Sequence, residues 1–261
     1  MSALAADLPL LRRWSAARVR LALRTPRALF MTFALPLVLI VVFDGLNGNA
    51  RVDAATGGGR VAFAQYYTPS IGIFALTAAC YSTLVLGIAT ARDSGLLKRV
   101  RGTPLPMWVY LVAWMVGGGL VGMVAVALLF VVAVPAFGVH VYLSQLPAAI
   151  VSLALGAACL TALGIAVASV VRTAEQAMPI AQLTFLPVAF ISGIFFPLQG
   201  APDWLVKLAD IFPLHHLVVA FDGAFQPHAP HAGWSGGDLW SLVAWTAIAG
   251  FVAARRFSRE V

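Results

Sequence analysis

Residues 107–134 read MWVYLVAWMVGGGLVGMVAVALLFVVAV, and this stretch contains no Asp, Glu, Lys or Arg. A helix crosses the ~30 Å hydrocarbon core of a bilayer with about 20 apolar residues, so the run is long enough to span a membrane. The whole chain agrees, because 61% of its 261 residues are hydrophobic and only 10% are charged. A soluble domain carries about a quarter charged residues. The sequence therefore predicts a polytopic membrane protein.

Six apolar segments in all are long enough, or nearly long enough, to cross the bilayer. Only helices satisfy their own backbone hydrogen bonds in lipid, so each segment is predicted to be a transmembrane helix. We therefore expect an all-α fold that forms a single transmembrane domain over residues 1–261. The predicted spans lie at about 28–46, 67–90, 107–134, 146–169, 178–198 and 237–254.

Positive charge is concentrated in segments that these spans place on one side of the membrane. They are residues 1–27, 91–106, 170–177 and the tail after 254, and only three of the seventeen Lys and Arg lie elsewhere. By the positive-inside rule, we predict that both termini are cytoplasmic at a plasma (inner) membrane. The net charge of +7 then faces the anionic lipids of the cytoplasmic leaflet. Nucleic-acid binding is the less favoured explanation of that charge.

Residues 1–27 are predicted to form an amphipathic helix that lies in the cytoplasmic membrane interface. Apolar side chains such as Leu10, Leu11 and Trp14 recur at helical spacing and leave the arginines largely on the remaining face. This arrangement is typical of interfacial helices. A plain basic tail that only orients the first span is the alternative.

The spans and loops show none of the sequence features by which a chain usually uses an ion gradient or ATP itself as a source of energy. No predicted span carries an ionisable residue near its middle, where ion-coupled carriers usually place one, although broken helices can bind sodium through backbone carbonyls. The chain has no Gly-Lys pair, and hence no Walker A loop. His228 and His231 are interpreted as solvated loop residues, so no metal site is predicted. We expect no catalytic residue and no cofactor in this chain, and any energy must come from a partner.

The 91–106 loop, ARDSGLLKRVRGTPLP, is predicted to contain a short amphipathic helix at the membrane surface. Leu96, Leu97 and Val100 fall on one face, and basic side chains fall on the other. Asp93 and Ser94 are candidate N-caps for this helix. Such a helix can insert its apolar face into a groove of a cytoplasmic protein. A basic loop that rests on lipid is the alternative.

Two stretches resemble the type-2 ABC exporter permeases, the membrane subunits of drug, lipid and polysaccharide exporters. The first matches at Asp93, Gly95, Leu97, Arg99, Thr103, Pro104 and Leu105, with Asp93 where the family more often has Glu. The second, SGIFFPLQGAPDWLVKLADIFPL, matches at Ser192, Gly193, Phe196, Pro197, Pro202, Trp204, Leu205, Pro213 and Leu214. The subgroup that this chain resembles is the daunorubicin-resistance type.

The resemblance implies a half-transporter without its own nucleotide site. A second permease chain, identical or paralogous, would complete the pathway, and two copies of a cytoplasmic ABC ATPase would bind ATP and Mg. It also implies that a coupling helix contacts the ATPase. The residues of this coupling segment are Arg92, Asp93, Ser94, Gly95, Leu96, Leu97, Lys98, Arg99 and Val100.

The resemblance further implies that residues 199–235 are external and that short helices there dip back into the membrane. The sequence supports this because Gly193 and Pro197 break the fifth span near its end, and the freed backbone groups must be buried in protein or wetted. An ordinary loop with one surface helix is the alternative. The residues assigned to this re-entrant segment are Gly193, Pro197, Pro202, Trp204 and Pro213.

Mixed aromatic and neutral polar stripes on the second and fifth spans suit an amphiphilic, uncharged ligand. The resemblance implies that these spans line a substrate pathway, whereas hydrogen bonding between helices is the alternative. The candidate pathway residues are Ser70, Phe74, Thr77, Tyr81, Gln182, Phe185, Ala189 and Ser192. Two other stripes are predicted to pack inside one subunit: the GxxxG pair Gly118 and Gly122, and the alanines at 154, 158, 162 and 166.

The function predicted on this basis is ATP-driven export of an amphiphilic drug or lipid. An ion-coupled secondary carrier and a membrane assembly factor without transport activity are the alternatives. A neighbouring gene for an ATPase with Walker motifs would separate the first function from the other two.

Overall fold

The computed structural model describes residues 2–23, 26–47, 50–53, 60–96, 99, 102, 107–198, 200–226 and 230–259. The chain is mostly helical, as predicted, with 81% of residues in helices. The helices are α1 Ser2–Leu23, α2 Pro26–Asn47, α3 Phe63–Thr77, α4 Thr83–Asp93, α5 Met107–Phe137, α6 Leu146–Ala168, α7 Ala174–Ile191, α8 Asp203–Ala209, α9 Pro213–Gly223 and α10 Gly236–Arg259. A π-helical turn, Ala78–Ser82, joins α3 to α4, and a 3-10 turn, Pro230–Gly233, precedes α10.

One element departs from the predicted all-α fold. The strands β1, Arg51–Asp53, and β2, Arg60–Ala62, form an antiparallel pair between α2 and α3 in which Val52 opposes Val61. The buried Val61 side chain packs with Tyr66 of α3. The short hairpin therefore extends from the helical bundle, and its backbone groups are satisfied by pairing.

By length and composition, four helical segments of the described chain could cross a membrane, and α8 with α9 would make a fifth. The first predicted span lies within the 22-residue helix α2, of which Phe33–Asn47 is a shorter apolar part, and the fifth corresponds to the 18-residue helix α7. Since α7 opens on Glu175 and Gln176 and contains two prolines, it is less apolar than the other spans. Six spans thus remain a prediction. The four segments are Phe63–Asp93, Val109–Phe137, Leu146–Ala168 and Gly236–Arg256.

The segments that carry most of the positive charge meet at one end of the bundle. Arg92, at the end of α4, donates a hydrogen bond to the Val171 carbonyl between α6 and α7. Trp14 of α1 and Tyr110 of α5 have ring centroids 6.2 Å apart. Ala253, near the end of α10, packs against residues of α4 and α6. We call this end of the molecule the basic end.

The remaining loops meet at the opposite end, which we call the outer end. The Gln65 amide donates to the carbonyls of His140 and Phe225 at 2.9 and 2.6 Å. The Tyr66 hydroxyl donates to the Gly193 carbonyl at 3.0 Å. The loops therefore group at the two ends as the charge pattern predicts, which is the arrangement of a multi-pass helical membrane protein.

Gly118 and Gly122 allow α5 to pack closely against the second span, as predicted. A Cβ atom at Gly122 would lie 2.7 Å from Leu76 Cδ1 and 3.1 Å from Cys80 Sγ. The Cys80 thiol lies within hydrogen-bonding distance, 3.5 Å, of the Gly118 carbonyl. Cys80 and Cys159 are both free and buried, and they pack among the apolar side chains of the interior.

The prediction that the alanine stripe of α6 packs inside the subunit holds only for part of the stripe. Ala154 is exposed, whereas Ala162 is the one member of the stripe that is buried. The buried face of α6 includes Gly156, which faces Leu217 of α9, and Gly164, which faces Tyr81 and Leu84 of the second span. The glycines lie there because α9 and the second span approach α6 too closely to leave room for a Cβ.

Helix α9 inserts between α3, α6, α7 and α10 from the outer end. Its Leu217 side chain occupies the space where a Cβ of Gly156 would be, ten residues after α6 begins. Its Phe221 ring would contact a Cβ of Gly72, nine residues after α3 begins. At 1.5 Å per residue both contacts lie roughly 15 Å from the outer helix ends. This distance is about half of the hydrocarbon thickness.

Candidate functional site

The coupling segment begins where α4 ends. The amides of Ser94 and Gly95 donate to the carbonyls of Thr90 and Arg92, and Gly95 has φ +70°. A left-handed glycine at this position ends the helix and redirects the chain. Leu96 and Arg99 are helical and exposed, and the Arg99 amide donates to the Gly95 carbonyl at 3.2 Å. The predicted positions Leu97, Lys98 and Val100 lie outside the described residues.

Two charged side chains at the end of α4 contact the connection between α6 and α7. The Arg92 guanidinium donates to the carbonyls of Val171 and Ala168 at 2.5 and 3.4 Å. The Asp93 carboxylate accepts a hydrogen bond of 2.6 Å from the Ala174 amide, the first residue of α7. Ser94 Oγ lies 3.4 Å from the Ala91 carbonyl of α4. Asp93 is predicted from the sequence to cap the short helix of the coupling segment. In the structure its carboxylate instead caps the start of α7.

The predicted pathway faces of the second and fifth spans pack against each other within one chain. Phe74 and Phe185 have ring centroids 5.6 Å apart, and the Tyr81 hydroxyl lies 2.6 Å from Thr184 Oγ1. Ser70, Thr77, Ala189 and Ser192 are buried too, and Gln182 is half-buried.

Two of the buried hydroxyls satisfy their hydrogen bonding within their own helix. Ser70 Oγ and Thr77 Oγ1 donate to the carbonyls of Tyr66 and Ile73, four residues earlier in α3. Their helical spacing on the second span therefore reflects packing and local hydrogen bonds. Of the predicted pathway residues, Gln182 keeps part of its polar surface accessible.

The predicted re-entrant residues surround the break between α7 and α9. Gly193 has φ +89° directly after α7, and Pro197 lies in the irregular segment that follows. Pro202 is the N-cap residue of α8, the Trp204 side chain of α8 is exposed, and the buried Pro213 begins α9. Because α8 and α9 meet at 93°, the two helices form a bent element and not one straight span.

A histidine and aspartate cluster fastens this bent element to its neighbours at the outer end. His216 Nδ1 lies 2.7 Å from Asp238 Oδ1 at the start of α10, and its Nε2 lies 2.9 Å from the Asp210 carbonyl. His215 Nδ1 lies 3.1 Å from the Ser192 carbonyl. Within the described residues, no group of three or more His, Cys, Asp or Glu could hold a metal ion.

The two candidate histidines of the outer loop are only partly described. His231 is exposed and has φ +52°, and His228 lies outside the described residues.

Sequence analysis missed a buried carboxylate at Asp222. Asp222 lies in α9, is fully buried, and accepts a 2.6 Å hydrogen bond from the Gln226 amide. The Gln226 carbonyl in turn accepts a hydrogen bond from the buried Gln145 side chain. The signal was present in LVVAFDGAF, residues 217–225, where one acidic residue interrupts an apolar run.

An apolar groove of about 230 Å³ lies between α5, α6 and α9. Phe221 of α9 and Phe225, two residues after its end, line the groove, and neighbouring side chains of α5 such as Val124 and Leu128 are exposed. A groove of this composition suits a hydrocarbon chain, because it offers no side chain that could bind a polar group. Other lining residues are Met123, Val126, Phe130, Leu146, Ile150 and Leu153.

Comparison with known proteins gives relatives among transport permeases. A putative transport permease, YvfS, from Bacillus subtilis (strain 168) is 22% identical over 218 residues, which cover 79% of this chain and 81% of the relative. A probable multidrug ABC transporter permease, YbhR, from Escherichia coli (strain K12) is 26% identical over 206 residues, which cover 75% of this chain and 53% of the relative. The chain therefore spans about half of the length of YbhR.

The match to a family model covers most of the helical bundle described above. The model of the ABC-2 type transporter matches residues 12–225, from α1 through α9 and the residues after it. The match includes the coupling segment, the predicted pathway faces of the second and fifth spans, and the bent element formed by α8 and α9. This multi-pass membrane protein belongs to the ABC-2 type transporter family.

Proposed function

We propose that this chain is the transmembrane subunit of an ABC exporter, driven by ATP that a separate cytoplasmic subunit hydrolyses. The observation that carries the proposal is the coupling segment. Leu96 presents an exposed apolar side chain at the basic end, and Arg92 and Asp93 tie the start of the segment to two spans. Because the segment that carries this apolar side chain is linked to the spans, a protein that binds it could move the spans.

The partners in this proposal are two copies of an ABC ATPase and a second permease chain, identical or paralogous. The basic end faces the cytoplasm of a plasma (inner) membrane, and anionic lipids neutralise its exposed arginines. The relative YbhR is named as a multidrug permease. We propose that an amphiphilic drug or lipid is the substrate here as well.

We place the substrate path along the accessible edge of α7. Gln182 is half-buried, and Leu183 and Phe190 nearby are exposed. A neutral amide beside exposed apolar side chains suits an amphiphilic molecule. Phe74, Tyr81 and the other buried residues of the two faces then form the wall behind this edge and hold its shape.

We also propose that α8 and α9 form an external re-entrant segment. Both ends of α9 contact residues of the outer end, since His215 lies against the Ser192 carbonyl and the Phe225 carbonyl is bonded to Gln65. A chain that enters and leaves at the same end does not cross the bilayer. Trp204, which is exposed on α8, would then lie at the outer membrane interface.

Co-purification tests the proposed function directly. The chain is expressed with a candidate ABC ATPase from the same genome, extracted in detergent and purified through a tag on the permease. Leu96→Asp should lose the ATPase, because a charge would enter a desolvated groove at a cost of roughly 2–4 kcal/mol. Leu143→Asp is the matched control, because Leu143 is an exposed leucine of the loop between α5 and α6, at the outer end.

The two possible failures of this test have different meanings. If wild type binds the ATPase and Leu96→Asp binds it equally well, the docking surface is wrong. If wild type in vesicles, with the ATPase present, shows no ATP-dependent transport, the exporter proposal itself is wrong.

Asp222 favours one second candidate, an ion-coupled carrier. A fully buried carboxylate inside an apolar bundle is the kind of residue that such carriers use. Collapse of the ion gradient with an ionophore separates the two functions. A carrier loses transport, whereas an exporter retains transport until ATP hydrolysis is inhibited.

A further inference from the structure

The helix α7 begins without a capping side chain of its own. Its N-cap residue, Thr173, makes no side-chain hydrogen bond to the first turn. N-terminal amides of a helix have no partner inside the helix, and a side-chain oxygen normally satisfies one of them. Here the Asp93 carboxylate, 81 residues earlier in the chain, accepts the hydrogen bond of the Ala174 amide.

The adjacent Arg92 contacts the other side of the same connection. Its guanidinium donates to the carbonyls of Ala168, the last residue of α6, and Val171. A helix carries partial negative charge at its C-terminus and partial positive charge at its N-terminus. The cation therefore lies at the end of α6 and the anion at the start of α7. Each charge matches the helix end that it contacts, and both contacts are charge-assisted hydrogen bonds.

Apolar packing joins the same elements beneath these two hydrogen-bonded contacts. Ile88 and Ala91 of α4 pack with Ile165 and Ala168 of α6, and Val171 of the connection is fully buried. The basic ends of α4, α6 and α7 thus form one packed unit. The coupling segment leaves this unit through Gly95, two residues after Asp93.

We propose that Arg92 and Asp93 are positioning residues that transmit movement of the coupling segment to α7. The inference rests on the proposed function, in which an ATPase moves that segment. A displacement of Leu96 reaches Asp93 through two residues, and Asp93 is bonded to the first amide of α7. Movement of α7 then shifts Gln182 and the accessible edge beside it. Arg92 keeps the connection in register by holding the end of α6.

Spin labels on the assembled transporter test this proposal. One label at Arg99→Cys reports on the coupling segment, and one at Leu183→Cys reports on α7. Both native positions are exposed, and the native cysteines are buried. Distances from each label to a third label on the ATPase are measured without nucleotide and with ATP trapped by vanadate. In wild type, both distances should change with nucleotide.

Asp93→Ala should abolish the nucleotide-dependent change at Leu183 and preserve the change at Arg99. Asp93→Asn keeps an oxygen acceptor for the Ala174 amide and should restore at least half of the lost change. Thr173→Ala is the matched control, since it alters the same connection without removing a capping hydrogen bond. Transport per ATP hydrolysed should fall about tenfold in Asp93→Ala and should be unchanged in Thr173→Ala.

The outcomes separate the inference from the proposed function. A wild-type protein whose Arg99 label does not respond to nucleotide overturns the proposed function, and with it the transmission role. A wild-type response at both labels that survives in Asp93→Ala overturns the inference alone. Loss of both responses in Asp93→Ala would show that the residue maintains the segment itself, and this result would also overturn the inference.

Discussion

The Tyr81 hydroxyl and the Thr184 Oγ1 atom lie 2.6 Å apart and join the π-helical turn of the second span to α7. Thr184 Oγ1 also lies 2.8 Å from the Ile180 carbonyl of its own helix. A π-helical turn interrupts the regular hydrogen bonding of a helix and frequently marks a functional position. Here the turn carries Tyr81, which lies behind the proposed substrate path and contacts α7.

Tyr81→Phe should lower stability and leave apparent substrate affinity unchanged. The variant removes one partly buried hydrogen bond, which is worth about 0.5–1.5 kcal/mol. Thermal unfolding in detergent measures the first effect, and the substrate concentration that half-maximally stimulates ATP hydrolysis measures the second.

Gln182→Leu should weaken apparent substrate affinity and leave stability unchanged, because Gln182 retains accessible polar surface. The loss of one hydrogen bond to substrate corresponds to a several-fold weaker apparent affinity. If Tyr81→Phe weakens affinity and Gln182→Leu does not, the proposed position of the path along α7 is wrong. Basal hydrolysis in each variant is the control for intact assembly.

Gly122→Ala should destabilise the bundle, whereas Gly119→Ala should be nearly neutral. A Cβ at Gly122 would lie 2.7 Å from the fully buried Leu76 side chain, while a Cβ at Gly119 would make an ordinary 3.5 Å contact with Ala157. Overpacking of a tight interface typically costs 1–3 kcal/mol. Thermal unfolding of the two purified variants checks the difference. Equal unfolding temperatures would show that α5 can shift to make room.

Asp222→Ala should destabilise the protein more than Asp222→Asn. The alanine variant removes the acceptor of the Gln226 amide, and a buried donor left without its partner costs about 1–3 kcal/mol. Asparagine keeps an acceptor oxygen at nearly the same volume. Unfolding temperatures and the yield of folded protein in detergent are the measurements. The hydrogen-bonding role of Asp222 is refuted if both variants unfold at the same temperature.

Lys207→Cys should react with a membrane-impermeant thiol reagent added outside cells, and Arg99→Cys should not. Both variants replace an exposed basic residue, and the native cysteines are buried. Gly200 is less suitable for this experiment because its φ of +82° would strain a cysteine. Disruption of the cells should expose Arg99→Cys to the reagent. The reverse pattern would overturn the assignment of the basic end to the cytoplasm.

The sequence by itself determined the class of fold and the grouping of the loops. Apolar runs such as residues 107–134 require helices in lipid, and the distribution of arginines assigns the loops to two groups. Both properties depend on local composition, which the chain carries whatever its packing. Gly118 and Gly122 were also identified as a close contact from their spacing alone.

Only the tertiary structure decided which faces meet, because burial depends on neighbours that are distant in sequence. The four-residue spacing of the alanines on α6 predicted that Ala154 is buried. In the structure Ala154 is exposed, and Gly156 faces Leu217 of the inserted helix α9. Spacing also gave Asp93 a role at its own segment. The fold brings its carboxylate to the Ala174 amide, 81 residues away. A partner at that separation leaves no periodic signal, so the link between the coupling segment and α7 was determined by packing.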